Sequence, residues 1–213
     1  MNESYKPLQA QQVLPYVNFA PEWFIDCGPG AGREAHVFKQ AFPNIKVIGF
    51  EPAAHLYVLN DYPGELVRAA VWFRNGEMAI ANHYLQSSLL DFRNAWPTAN
   101  VVTVTLDAVC GPGVLGRNVR NAVLWMDIEH AELFALVGAI DLLESGAIRL
   151  LTVEVRHGTD LIFDGFLGPL GFEKVLDYDN EQTHWDRVYR LKGSAHGVAA
   201  ELDSTGRTAS KRL

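Results

Sequence analysis

Short apolar runs alternate along this chain with longer stretches whose apolar residues recur at helical spacing. Trp23–Cys27, Lys46–Phe50, residues 122–128 (apolar through Met126, closing on Asp127) and residues 148–155 are nearly unbroken apolar runs. Strands buried on both faces of a parallel sheet read this way. Residues 66–73 and 101–106 also read as strands. Arg74-Asn75-Gly76 is a turn signal, with residues 78–84 as the hairpin partner of 66–73. A short helix is expected near residues 9–17. A second follows Gly32, with Ala35, Phe38 and Ala41 inward, and Pro43-Asn44 stops it. A third covers 53–61. Leu133, Leu136, Val137, Ile140 and Leu143 predict one amphipathic helix over 129–145, closed by Gly146. Residues 161–170 predict another helix. Phe172–Tyr178 and residues 187–191 predict two closing strands, and 87–97 and 111–118 read as loops.

The pattern predicts an α/β fold: a Rossmann-like, doubly wound, mostly parallel seven-stranded sheet with helices on both faces and an antiparallel closing pair. It places one domain over 1–192 and a flexible tail over 193–213, where aromatic residues are missing. In such sheets ligands bind at the carboxyl ends of the strands, beside the switch in strand order.

Composition narrows the function. The 213 residues are 48% hydrophobic and 20% charged, with a formal net charge of −7. That is a globular composition large enough for one core. An acidic balance argues against a nucleic-acid partner, which calls for a basic face. Arg207, Lys211 and Arg212 are too sparse for a basic tail. Cys27 and Cys110 have no metal-ligand spacing and read as reduced thiols, so no metal site is expected. No apolar run suits a membrane span and the N-terminus lacks a signal-peptide pattern, so a cytoplasmic protein is expected.

The strongest motif is Phe24-Ile25-Asp26-Cys27-Gly28-Pro29-Gly30-Ala31-Gly32. Alternate glycines turn the chain tightly and let a ligand approach bare backbone ahead of a helix N-terminus. A dinucleotide fingerprint reads G-x-G-x-x-G, but here the third glycine comes one residue early and Arg33 holds its place. S-adenosylmethionine has no pyrophosphate and carries a sulfonium and an amino group, so a neighbouring carboxylate such as Asp26 suits it. Glu51, ending the second strand, can accept hydrogen bonds from two ribose hydroxyls. Each feature also has a plainer reading, as an unliganded turn or a solvated strand end. Asp127, Glu129 and Glu132 also have a plainer reading, as residues that cap a helix start or oppose its dipole, which stands level with function for Glu129 and behind it for Asp127. His130 and His157 are candidate bases or simply solvated histidines. Trp125 and Phe134 read as core.

With these motifs in place, the chain resembles the FkbM-type methyltransferases from about Phe24 to Leu191. The resemblance rests on F-I-D-C-G-P-G-A-G, V-I-G-F-E-P (47–52), A-A-V (69–71), N-G-E (75–77), Ser87-Ser88-Leu89, V-T-L-D (104–107), W-M-D-I-E-H-A-E-L (125–133) and T-V-E-V (152–155). It implies a class I fold and methyl transfer from S-adenosylmethionine to a hydroxyl, on a small-molecule or glycan acceptor such as a sugar or secondary metabolite. It implies cofactor contacts from Asp26, Gly28, Gly30, Gly32 and Glu51, with Ala70 and Val71 near the adenine. Asp127 and Glu129 should face the reaction centre, with His130 a third catalytic candidate. The family usually has D-V-E-G, where this chain puts His130 in place of the glycine. It often has a lysine where Trp125-Met126 stands, and its first loop reads G-A-N-x-G. Other readings are methylation of RNA or another polymer, a nicotinamide oxidoreductase, and a non-catalytic binding module of the same fold.

Overall fold

The computed structural model describes residues 8–52, 61–81, 89, 98–113, 117–156, 158–178 and 184–193. The expected helix over 53–61, the 87–97 loop, His157 and the tail from 194 therefore lie largely or wholly outside the described residues. In chain order the strands are β1 (Trp23–Cys27), β2 (Lys46–Phe50), β3 (Glu65–Val67), β4 (Ala70–Val71), β5 (Gly76–Ala81), β6 (Thr98–Val104), β7 (Ala122–Met126), β8 (Ile148–Arg156), β9 (Phe172–Tyr178) and β10 (His184–Leu191). The helices are α1 (Ala10–Val13), α2 (Arg33–Ala41), α3 (Leu106–Cys110), α4 (Glu132–Val137), α5 (Ile140–Glu144) and α6 (Asp160–Leu167).

Seven strands form one sheet in the order β3-β2-β1-β7-β8-β10-β9. β1, β2, β3, β7 and β8 run parallel, and β10 pairs antiparallel with both β8 and β9. This is the expected doubly wound sheet with its closing pair. Strand alternation sends Ile25, Leu124 and Leu151 to one face and Phe24, Val123 and Leu150 to the other. The first face packs on α3, α4, α5 and α6 through Leu106, Leu136, Leu142 and Phe163. The second packs on α1 and α2 through Val13, Ala35 and Phe38, with the Phe24 and Phe38 rings stacked 4.4 Å apart. Each of these Val, Leu, Ile and Phe side chains contributes about 1.5–3 kcal/mol by its burial, and Ala35 less. Both faces are closed, which is why the central strands carry no polar alternation.

The structure differs from the pattern in five places. Residues 66–73 are not one strand. The Ala69 N–H donates to the Val67 carbonyl at 2.9 Å, a tight turn that sends β3 to the large sheet and β4 to a separate small one. In that small sheet β6 is central, parallel to β4 and antiparallel to β5, so β5 is not the hairpin partner of 66–73. The strand expected to reach residue 106 stops at Val104, because Thr105 caps α3 by accepting the Ala108 N–H at 3.1 Å. The single helix expected over 129–145 starts only at Glu132 and breaks at Gly138. A β-carbon at Gly138 would lie 2.2 Å from the Trp72 carbonyl oxygen. The backbone after β4 crosses there too closely for an ordinary residue. Asp107 restarts the chain as α5 by accepting the Asp141 and Leu142 N–H groups at 3.1 and 3.0 Å. Trp125 is core, whereas Phe134 is 39% exposed and stacks on Trp72 with ring centroids 4.7 Å apart.

Candidate functional site

The register of the sheet builds the site. Cys27 is opposite both Phe50 and Met126. The residues that follow, Gly28, Glu51 and Asp127, therefore emerge side by side at the carboxyl edge where the strand order switches. Backbone bonds extend the ladder to all three. Gly28 N–H donates to Phe50 O (3.1 Å), Asp127 N–H to Cys27 O (3.0 Å) and Glu51 N–H to Val67 O (3.0 Å).

The three glycines of the first loop do different work. Gly28 has φ +79, and a β-carbon there would meet the Asp127 carbonyl oxygen at 2.0 Å. Only glycine lets the loop cross beside β7. Gly30 has φ +51 with nothing among the described residues within 4 Å of a would-be β-carbon, so it presents bare backbone to the cleft. Gly32 precedes α2 at φ +71, and a β-carbon there would sit 2.9 Å from the Tyr62 ring.

That cleft brings together seven of the sequence candidates: Gly28, Gly30, Glu51, Ala70, Val71, Asp127 and Glu129. Asp26, Gly32 and His130 are not in its lining. Asp26 is 1% exposed beneath the loop, with Oδ2 accepting the Tyr62 hydroxyl at 3.0 Å and Oδ1 lacking a hydrogen-bond partner among the described residues. The sequence reading missed the apolar wall formed by Phe50, Ile80, Leu89, Ile128 and Ala131. Ile80 and Leu89 belong to the cluster under the small sheet, whose pairing local pattern did not disclose. The chemistry of this donor set fits S-adenosylmethionine. The lining offers open glycine backbone, a strand-end glutamate for hydroxyls and an apolar wall for a flat base, and beneath its loop lies the Asp26 carboxylate, suited to a cationic end.

Beside this cleft lies a group of carboxyls that resist ionisation. Asp127 reaches solvent through the cleft but is otherwise walled by protein, and burial, with Glu129, Asp186 and Glu34 nearby, pushes it up to about 7. Glu129 is also raised by burial, against the pull of Arg156. Glu132 is pushed up to about 8, chiefly by burial, and its Oε1 accepts the Ile128 N–H at 3.0 Å. It therefore ties down the turn between β7 and α4. Glu154 rises to about 9 and Asp186 to about 6, again chiefly by burial. Asp127 and Glu129 precede the helix start, which tells against their being its caps.

Glu129 and His130 have φ +55 and +78, the left-handed region. This accounts for the glycine that the resembled motif has at position 130. A side chain there costs on the order of 1–2 kcal/mol, and here it brings His130 Nδ1 to 3.6 Å from Glu154 Oε2. Among the described residues, donor atoms of Glu129, His130 and Glu154 lie within 4.8 Å of one another, a set that could hold a metal ion. Sequence spacing gave no sign of it, since the three converge only through the turn after β7 and the end of β8.

Residues 26–187 match the family model described as the methyltransferase FkbM domain. No curated protein matches. Among solved structures, a methyltransferase FkbM from Methylobacillus flagellatus KT is similar, with TM-score 0.59 and 14% identity. The match covers 89% of this chain and 49% of that one, so this chain spans about half the length of that protein. A precorrin-6y C5,15-methyltransferase from Geobacter metallireducens GS-15 matches with TM-score 0.47 and 11% identity, over 91% of this chain and 93% of that one. An rRNA methylase from Streptococcus thermophilus matches with TM-score 0.46 and 14% identity, over 86% and 95%.

Proposed function

This chain belongs to the FkbM methyltransferase domain family and depends on S-adenosylmethionine, and from that premise we propose that it O-methylates a hydroxyl of a small sugar or secondary-metabolite acceptor. One observation carries the reading. The Asp127 carboxyl opens into the same cleft as Gly28, Gly30 and Glu51, and its partly enclosed, acidic surroundings raise its pKa toward the working range. An alcohol is a weak nucleophile, and a base works best when its pKa lies near the working pH. When bound, the cofactor supplies an electrophilic methyl group. Gly28 and Gly30 would receive it against bare backbone, Asp26 and Glu51 would take its cationic and ribose ends, and Gly32 would shape the loop. Ala70 and Val71 would flank the adenine. Asp127 would accept the acceptor's proton, with Glu129 and His130 beside it to orient the hydroxyl.

The test is transfer of a labelled methyl group to a panel of hydroxylated small molecules and glycans, with amines and RNA alongside. Label on oxygen supports the proposal. Label on RNA or on nitrogen overturns it. The formal net charge of −7 disfavours a polyanionic RNA acceptor.

Gly30→Val tests the loop. The new side chain would project into open space, at a left-handed position costing about 1–2 kcal/mol. The variant should remain folded, with cofactor affinity weakened by about a hundredfold, close to 3 kcal/mol. Unchanged affinity in calorimetry would make the loop only a structural turn.

A further inference from the structure

Tyr62 has a place that the cofactor reading does not use. Its ring lies against two glycines from different elements. A β-carbon on Gly49, in β2, would meet the Tyr62 hydroxyl oxygen at 2.6 Å, and one on Gly32, before α2, would meet its ring at 2.9 Å. Two backbones are thus stripped of side chains around one phenol. Its hydroxyl donates to Asp26 Oδ2 at 3.0 Å, while Asp26 Oδ1, in a residue 1% exposed, lacks a hydrogen-bond partner among the described residues. A buried carboxylate oxygen without a donor is costly, and calls for an explanation by ligand or function.

We propose that Tyr62 is a positioning residue for cofactor binding: it occupies Oδ2 and so holds the Asp26 carboxylate with Oδ1 free for the cationic amino-acid end of S-adenosylmethionine. This rests on the reading of the cleft as the cofactor site. Electrostatics support it. Burial raises the Asp26 pKa well above the usual carboxylate range. The charged groups facing Asp26 are Glu34 from α2, Asp127 after β7 and Glu51 after β2, and all three raise it further. The Tyr62 hydrogen bond opposes them. Tyr62 itself is pushed far above its ordinary value by burial and by Asp26, so it stays a neutral donor. A cation arriving at Oδ1 favours the ionised carboxylate. Affinity should therefore rise with pH until Asp26 ionises unaided.

The experiment is calorimetry from mildly acidic to mildly alkaline pH with S-adenosylmethionine, S-adenosylhomocysteine and methylthioadenosine, which lacks the amino-acid end. Tyr62→Phe keeps the ring and removes the hydroxyl. It should weaken the first two ligands about tenfold, leave methylthioadenosine unchanged, and move the rising limb to higher pH. Asp26→Asn should remove the Tyr62→Phe effect, so the double variant should bind like Asp26→Asn alone. Equal losses for all three ligands, an unmoved pH limb, or additive losses in the double variant would each overturn the proposal and leave Tyr62 a packing residue. If the wild-type protein binds none of the three, the cofactor reading fails first and the role of Tyr62 with it.

Discussion

Asp127→Asn should lower turnover by about 10²–10⁴-fold without lowering the melting temperature. The substitution keeps the size and hydrogen-bonding capacity of the side chain and removes its charge. The residue is not a cap, since α4 begins at Glu132 with Ala131 before it. Its backbone N–H remains tied to Cys27 O whatever the side chain. Its carboxylate faces Glu129, Asp186 and Glu34, all acidic, so losing the charge relieves repulsion. Stability should hold or rise slightly. The wild-type rate should climb with pH to a plateau, with a midpoint near 7, where Asp127 gives up its proton. The variant's residual rate should lack that limb. Turnover, cofactor affinity and melting temperature measured on one preparation separate the cases. Near-normal turnover would exclude Asp127 as the base, and lost cofactor affinity would move it to the binding set.

The large sheet was legible in the sequence because its central strands are buried on both faces, which forces unbroken apolar runs such as those of β1 and β7. The strand-end residues followed from that assignment together with the glycine loop. What escaped depends on contacts between distant segments. Nothing in the spacing of Leu133 to Leu143 shows that the Trp72 carbonyl crosses at Gly138 and breaks the helix. Nor does local alternation in β5 reveal that its partner is β6, more than a dozen residues on, rather than the strand just before it. The same limit hid Tyr62, whose value lies in reaching Asp26 across 36 positions. His130 stood out as a departure from a glycine pattern. Its left-handed backbone shows that the glycine's conformation is kept although the residue is not.

Stability should fall as the pH is raised from about 5 to 9, because buried Glu132, half-buried Glu154 and Asp186 and, to a smaller extent, solvent-facing Asp127 hold their protons longer in the folded state than in the unfolded one. The folded values are about 6 for Asp186, 7 for Asp127, 8 for Glu132 and 9 for Glu154. In the unfolded chain all four return to about 4. Below that value both states hold the protons and nothing is lost. Between about 4 and each folded value the native state binds more protons than the unfolded one, so stability declines with rising pH. Above the folded value the loss levels off. Glu132, 1% exposed, contributes on the order of a few kcal/mol by itself. Asp177 acts in the opposite sense at the acid end. Bonds from Lys174, Arg187 and Trp185 hold it below its ordinary value despite some burial, so its stabilising contribution disappears only as the pH falls toward and below about 4. The two trends place the stability maximum on the acid side of neutrality. Glu154→Gln should flatten the decline, since Glu154 sits among Glu132, Asp127, Glu129 and Asp186 and repels each of them once ionised. Denaturant midpoints for wild type and variant across this range are the check. A wild-type midpoint that stays level from 5 to 9 would mean that these carboxyls are ionised in the folded protein, and a variant that falls as steeply as wild type would remove Glu154 from the account. In the first case the Glu129, His130 and Glu154 donor set is where a divalent ion would be sought, by repeating the series with and without a chelator.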